Sequence, residues 1–491
     1  MLFNSLEFLI FFPVVALLYY IFPHKMRRPW LLIASYFFYM SWNPIYALLI
    51  AASTVTTYAG GILIERVRQK DGGRSASRRK FWLACGVVIN LGILFFFKYF
   101  NFALSSVFAL LSGFGLSLSA RTFDILLPVG ISFYTFQVVG YLIDVYRQRT
   151  PAEKNIVRYA LFVSFFPQLV AGPIERSNTL LAQINERHHF DYSRVKNGLL
   201  LMAWGFFQKI VIADNIVKAV NPVYDNYMSY SGSQIAAATV LFAFQIYCDF
   251  SGYTDIARGA ARVMGFELTE NFRRPYFAQS VRDFWRRWHI SLSAWFRDYV
   301  YIPLGGGRGS KLQKARNILL TFLVSGLWHG ADFSFVLWGG LHGVYQIIGD
   351  LAAPRGGKSR RKLKIKRDVF SYKLGKAAAT FVLVDFAWIF FRADSVRDAF
   401  LIVGRIFTSF NPWLLFDGSL YELGLPAAEF NLLLLFIAVL LTVNLLQSKL
   451  DLGAALAKQN ALFRWLVYYL LLISIFLFGA FGINQFIYFQ F

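Results

Sequence analysis

Cysteine is nearly absent from this 491-residue chain. Cys85 and Cys248 are the two, both inside apolar stretches and in no spaced motif, so neither a disulfide framework nor a cysteine zinc site is expected. Histidine is scarce as well, with six residues, and no His-x-x-x-His or His-Glu-x-x-His spacing occurs. The adjacent His188 and His189 sit in a polar stretch, and no metal centre is expected. The Gly-x-Ser-x-Gly elbow is missing, and Ser291 and Ser293 read as helix-surface residues, so nothing points to a covalent acyl-enzyme. Acidic side chains are few: 27 Asp and Glu stand against 50 Lys and Arg, a formal net charge of +23. In a soluble chain that surplus would suggest nucleic acid, but no nucleic-acid motif accompanies it, and nucleic acid is not expected as a partner.

What the chain does have is apolar sequence. Hydrophobic residues make up 57% and aromatic residues 19%, more than a soluble domain of this length buries, so lipid is the solvent. A bilayer core about 30 Å thick takes about 20 apolar residues per helix, and charge-free runs recur at short intervals. They lie at about 5–22, 30–43, 45–64, 81–98, 101–118, 124–144, 157–172, 198–220, 234–260, 317–328, 334–352, 374–392, 430–447 and 464–485. The runs at about 30–43, 124–144 and 317–328 are short or interrupted, by Pro44, Pro128 or the Gly326 to Gly330 region, which suits broken or re-entrant helices lining a cavity. About eleven true spans are expected by the length rule, in one all-α membrane domain covering residues 1–491. The first run, Leu6 to Phe22, has no basic stretch before it and no small-residue cleavage site after it, and reads as a retained helix.

The cations gather between apolar runs. The stretches from Glu65 to Lys80 and from Pro354 to Asp368 carry dense Lys and Arg and are expected on the cytoplasmic side, where they set orientation and meet anionic lipid headgroups. With His24 to Arg28 basic too, the first helix runs from outside to inside. Asn271 to Arg316 differs in kind, mixing Trp285, Trp288, Trp295 and Phe296 with Arg282, Arg286, Arg287 and Arg297. Too charged to span and too aromatic for a free loop, it reads as interfacial amphipathic helices on the cytoplasmic side.

Two histidines fall in Trp-His pairs, Trp288-His289 and Trp328-His329. His329 ends one apolar run just before another begins after Asp332, which places an ionisable ring at membrane depth in a helix break, a costly arrangement that points to function. An imidazole with a pKa near working pH suits a general base for a hydroxyl attacking a thioester. A core histidine bonded to a backbone carbonyl fits the same position. His342, thirteen residues on with no supporting partner in sequence, reads as helix packing. Gln137, Asp144, Gln168, Glu175, Gln208, Lys209, Gln245, Asp249, Asp255 and Asp385 interrupt apolar runs and imply a polar interior. The densest cluster, Tyr247 to Asp255, divides between substrate contact and scaffold.

Four ordered motifs carry a resemblance: Arg273-Arg274-Pro275-Tyr276, the run Asp283 to Ser293, the run Trp295 to Gly306, and Ser325-Gly326-Leu327-Trp328-His329-Gly330. With Leu127 to Gln137 and Ser164 to Ile174, they are similar to the membrane-bound O-acyltransferase superfamily, most of all its alginate O-acetylation branch, over nearly the whole chain. The resemblance implies a helical bundle around a central tunnel, with His329 as the central catalytic histidine and His289 as the second polar residue of the site. It implies an acyl group, acetyl, taken from a cytosolic donor, acetyl-CoA, with no bound cofactor. Delivery is to a cell-envelope polysaccharide through an extracytoplasmic acyltransferase partner in a bacterial inner membrane. On that footing Trp328 packs the catalytic ring, Arg286, Arg287 and Arg297 are candidates for the donor's phosphates or for lipid headgroups, and Asp255 is a candidate substrate contact. Two rivals remain at this stage. A D-alanyl transferase for teichoic acid would draw on a carrier-protein thioester, and a transporter or flippase would also show polar residues in broken helices.

Overall fold

A computed structural model describes residues 1–70, 75–115, 123, 126–352, 369–481 and 487. Among the described residues all regular structure is helical, without a strand. Backbone groups in lipid must be satisfied within their own segment, and helices do this. In chain order the main helices are α1 (Leu6–Ile21), α2 (His24–Met40), α3 (Tyr46–Lys70), α4 (Ala76–Gly113), α5 (Ile131–Tyr146), α6 (Ile156–Ser164), α7 (Phe166–Leu169) and α8 (Ser177–Asn185). They continue with α9 (Tyr192–Asp225), α10 (Gly232–Met264), α11 (Val281–Trp285), α12 (Ile290–Phe296), α13 (Lys311–His329), α14 (Phe333–Ala352), α15 (Phe370–Arg392), α16 (Val396–Thr408), α17 (Ala427–Leu446), α18 (Leu452–Ala457) and α19 (Ala461–Phe478).

Seven of these, α3, α4, α9, α10, α15, α17 and α19, are long and apolar enough to cross a membrane, and α1 is a shorter apolar helix. The protein is a multi-pass membrane protein. Only 6% of the apolar window of α19 is buried within the protein, against 78% for α10, so α19 turns its side chains to lipid while α10 belongs to the interior.

Several expected boundaries change. The runs at about 81–98 and 101–118 are not two elements: α4 continues through Lys98 and Asn101 to Gly113 by way of a π-helical turn at Phe95–Tyr99. The run at about 317–328 is not a broken piece but the second half of α13, which starts at Lys311 behind a capping box made by Ser310 and Gln313. The run at about 30–43 lies in α2, which already begins at His24 and keeps Pro29 in its first turns. The run at about 157–172 splits at Phe165 into α6 and α7, neither long enough to span. The basic stretch from Glu65 to Lys80 is largely helical, because α3 runs to Lys70 and α4 starts at Ala76. The second basic stretch, Pro354 to Asp368, lies outside the described residues.

The chain divides into two compact units, Met1–Met202 with Thr254–Thr269, and Ala203–Tyr253 with Glu270–Phe491. In the first, the end of α6 leaves the Phe162 carbonyl available, and Gln137 (2.7 Å) and Gln168 (2.9 Å) both donate to it. Arg28 donates to the Ile184 and Asn185 carbonyls at the C-terminus of α8, and Arg27 donates to the His188 carbonyl. Part of the basic surplus therefore closes a helix end, where free carbonyls and the dipole favour cations. Asp255 pairs with Arg258 at 3.1 Å within the same unit.

The second unit buries Trp288, Trp338 and Trp388 completely. Its α13–α14 hairpin is possible because Gly326 and Gly339 face each other's backbone. A Cβ on either would meet a carbonyl, of Phe335 or Phe322, inside contact distance. A π-helical turn at Phe207–Ala213 interrupts α9. In an α-helix residues five apart diverge, whereas this turn bonds the Asp214 N–H to the Lys209 carbonyl and brings both side chains to one face. Lys209 Nζ lies 2.8 Å from Asp214 Oδ1 and 2.6 Å from Asp249 Oδ1 on α10. Asp249 also accepts from the Ile487 N–H at 2.8 Å, and Ser251 donates to Gln208 at 2.5 Å. In the Tyr247 to Asp255 cluster, these two side chains bond helix to helix.

Candidate active site

The Trp-His pairs come together in the second unit. His329 is the last residue of α13, and Gly330, Ala331 and Asp332 separate it from α14, whose start is fixed by Asp332 accepting from the Ser334 N–H at 2.7 Å. A histidine in the last turn of a helix can reach the carbonyl four residues back. His329 Nδ1 does so, lying 2.7 Å from the Ser325 oxygen. A carbonyl only accepts, so Nδ1 carries the hydrogen, and in the neutral ring Nε2 carries the lone pair. The carbonyl-bonded core histidine and the oriented base are thus one geometry. The ring is 1% exposed and is packed by Trp338 at 4.8 Å, Trp328 at 5.0 Å and Phe391 at 5.7 Å between centroids.

His289 reaches the same cluster from the charged segment. Its backbone is left-handed, φ 43° and ψ 56°, a region that non-glycine residues occupy only when their surroundings impose it. Asn271 does the imposing: its backbone oxygen accepts from the Ile290 N–H and its side-chain Oδ1 from the Ser291 N–H, each at 3.0 Å. The imidazole is fully buried, perpendicular to Phe250 at 4.7 Å and 5.9 Å from the Trp328 ring. Trp328 thereby touches both imidazoles.

The arginines take the outer side of this segment while the tryptophans take the inner side. Arg286 is exposed, and among the described residues no ion pair engages it. Arg287 is held by Asp283 at 2.9 Å, and Arg297 by Asp298 at 2.8 Å. That hydrogen bond raises the pKa of the Arg297 guanidinium. Of the expected phosphate ligands, Arg286 alone is left without a carboxylate. Asp255 belongs to the first unit and is engaged there by Arg258.

Sequence reasoning missed four features. Asn271, the Ser325 carbonyl and Trp338 carry no mark in sequence beyond residue type. The fourth is His342, read as packing without a partner. It is buried as packing requires, yet Trp285 Nε1 donates to its Nδ1 at 3.2 Å. The Trp-His-rich composition of two separate segments was the available signal, since indole and imidazole are natural partners. Among the described residues no group of three or more metal-ligating side chains assembles.

Residues 152–391 match the membrane-bound O-acyltransferase family, MBOAT. The chain is 39% identical to the probable alginate O-acetylase AlgI of Azotobacter vinelandii, over 94% of this chain and 88% of that one. It is 35% identical to the peptidoglycan O-acetyltransferase of Helicobacter pylori, over 82% and 79% of the two chains. With the teichoic acid D-alanyltransferase of Streptococcus thermophilus it shares 28% identity over 45% of this chain and 56% of the other.

Proposed function

The chain belongs to the membrane-bound O-acyltransferase family, and from that premise we propose that it moves an acetyl group from cytosolic acetyl-CoA to a hydroxyl bound for a cell-envelope polysaccharide, with His329 as general base. The observation that carries this reading is the His329–Ser325 hydrogen bond, which leaves the lone pair of a buried neutral imidazole on Nε2. Nε2 takes the proton of the attacking hydroxyl while that oxygen bonds to the thioester carbonyl carbon. The tetrahedral centre then expels the thiolate, which recovers the proton from Nε2, so that ester and thiol form with no net proton change. His289, whose ring lies 5.9 Å from that of Trp328, orients a reactant, and Arg286 meets the donor's phosphates.

A tunnel within a bundle of about eleven spans, with re-entrant and interfacial helices around it, would let cytosolic donor and outer acceptor meet at His329 without either crossing. The whole chain acts as one catalytic domain, and an extracytoplasmic acyltransferase completes delivery to the polysaccharide in a bacterial inner membrane. Acetyl rather than D-alanyl is favoured because the two O-acetylating relatives match most of the chain, whereas the D-alanylating one matches under half.

The test is polysaccharide acetylation in cells carrying His329→Ala, normalised to folded membrane protein. Loss of a general base is expected to lower transfer by about 10² to 10⁴-fold. His289→Ala should be damaging but leave residual transfer. Near-normal acetylation by His329→Ala at equal protein level refutes the assignment.

A further inference from the structure

His342 is inaccessible to solvent and is hydrogen-bonded from one side, by the Trp285 indole. An indole nitrogen can only donate, so His342 Nδ1 must hold its lone pair and the ring hydrogen sits on Nε2. That Nε2–H finds no acceptor among the described residues, although it is wholly buried. The ring lies nearly parallel to Phe284, 7° at 6.2 Å, and edge-on to Trp338 at 5.0 Å. Trp338 is equally buried, its own indole N–H also lacks an acceptor among the described residues, and its ring lies 4.8 Å from His329. Two hydrogen-bond donors on touching rings beside the candidate base are thus left without protein acceptors, an arrangement native structures avoid unless something else fills it.

Both groups are uncharged donors in an aromatic surround, which suits a neutral oxygen and not a phosphate or a cation. We infer that Trp285 and His342 form a donor-arm subsite, in which His342 Nε2–H, together with the Trp338 N–H, receives a carbonyl oxygen of the acyl donor's thioester-bearing arm. Trp285 is a positioning residue. By occupying Nδ1 it dictates the tautomer that leaves a hydrogen on Nε2. The subsite rests on the reading of His329 as the base beside which that arm is laid.

The experiment uses the full chain in lipid nanodiscs with acetyl-CoA as the probe, measuring equilibrium binding, the KM and kcat of transfer, and thermal stability. His342→Phe fills the same space without a polar atom and should weaken acetyl-CoA about tenfold, the effect of one lost buried hydrogen bond. His342→Gln keeps an N–H donor near the Nε2 position and should recover most of that loss. Trp285→Phe releases the tautomer and should weaken acetyl-CoA a few-fold, with some loss of thermal stability because His342 Nδ1 loses its buried partner. If His342→Phe fails to fold, Trp338→Phe carries the test through the second donor, with a few-fold loss expected. Acetyl-CoA binding unchanged in the Phe variants overturns the subsite, as does a Gln variant no better than Phe, which would mean that the ring only packs. His329→Ala separates the two readings, because it should lower turnover by about 10² to 10⁴-fold while still binding acetyl-CoA. Near-normal turnover in His329→Ala refutes the base and leaves the binding comparison at His342 to be judged on its own. A wild-type chain that does not bind acetyl-CoA overturns the donor and the subsite together.

Discussion

Replacing Lys209 by Met should be among the most destabilising substitutions outside the candidate site, for reasons that can be worked from distances. The ammonium sits 2.8 Å from one carboxylate and 2.6 Å from another, with side-chain exposures of 5% for Lys209, 2% for Asp214 and 5% for Asp249. Methionine matches the stem of lysine in length and apolar character, so packing is nearly kept and the charge is the main loss. Two carboxylates then face each other in a low-dielectric interior. Removing one partner of a buried pair costs about 3–5 kcal/mol, and the second carboxylate pushes the expectation to the top of that range. Against a net stability of about 5–15 kcal/mol, such a loss should lower the thermal transition of the solubilised protein by about 5 °C or more. Fluorescence-detected thermal shift of the full chain in detergent reads this directly. The triple variant Lys209→Met, Asp214→Asn, Asp249→Asn removes all three charges, keeps an oxygen to accept the Ile487 N–H, and should recover most of the transition. A Lys209→Met transition within about 1 °C of wild type would refute the reasoning, since a desolvated pair cannot be broken at that cost. So would a triple variant as unstable as the single, because the damage would then not be uncompensated charge.

Reporter fusions at Gly72 and Gly357, inside the two basic stretches, should both report the cytoplasmic side, and an outer-face signal at either would reverse the orientation. Arg286→Gln should weaken acetyl-CoA binding more than Arg297→Gln, because Asp298 already holds Arg297 while no ion pair engages Arg286 among the described residues. Equal affinities in wild type and Arg286→Gln, measured at low salt, would return Arg286 to lipid contact.

Helices that meet lipid were the readable part of the fold, because each must be apolar along its own length and needs no distant partner to be recognised. The sequence misleads where polarity and helicity part company. Lys98 and Asn101 look like the end of a span, yet α4 passes through them on a π-helical turn. At α13 the reverse holds: the apolar run looks too short for a helix, while the start signal lay further upstream, with Ser310 followed three residues later by Gln313. In the segment from Asn271 to Arg316, composition alone separates buried tryptophans from exposed arginines. Nothing local announces that Asn271 folds back onto Ile290 and Ser291 and forces His289 into a left-handed turn. Trp285 and His342 lie 57 residues apart, so only the folded chain can pair them.

The partner chosen for His329 also bears on the chemistry proposed for it. A carboxylate at Nδ1 would make the imidazole more basic, but at 1% exposure it would bring a second charge into the interior and would hold the proton after the hydroxyl had given it up. The Ser325 carbonyl fixes ring and tautomer and adds no net charge. In the transfer proposed, the same proton must pass at once to the departing thiolate, because a proton kept on the base would leave the thiolate free to attack the new ester and reverse the reaction. The aromatic shell of Trp328, Trp338 and Phe391 works in the same direction, keeping away water that would otherwise compete with the hydroxyl for the thioester.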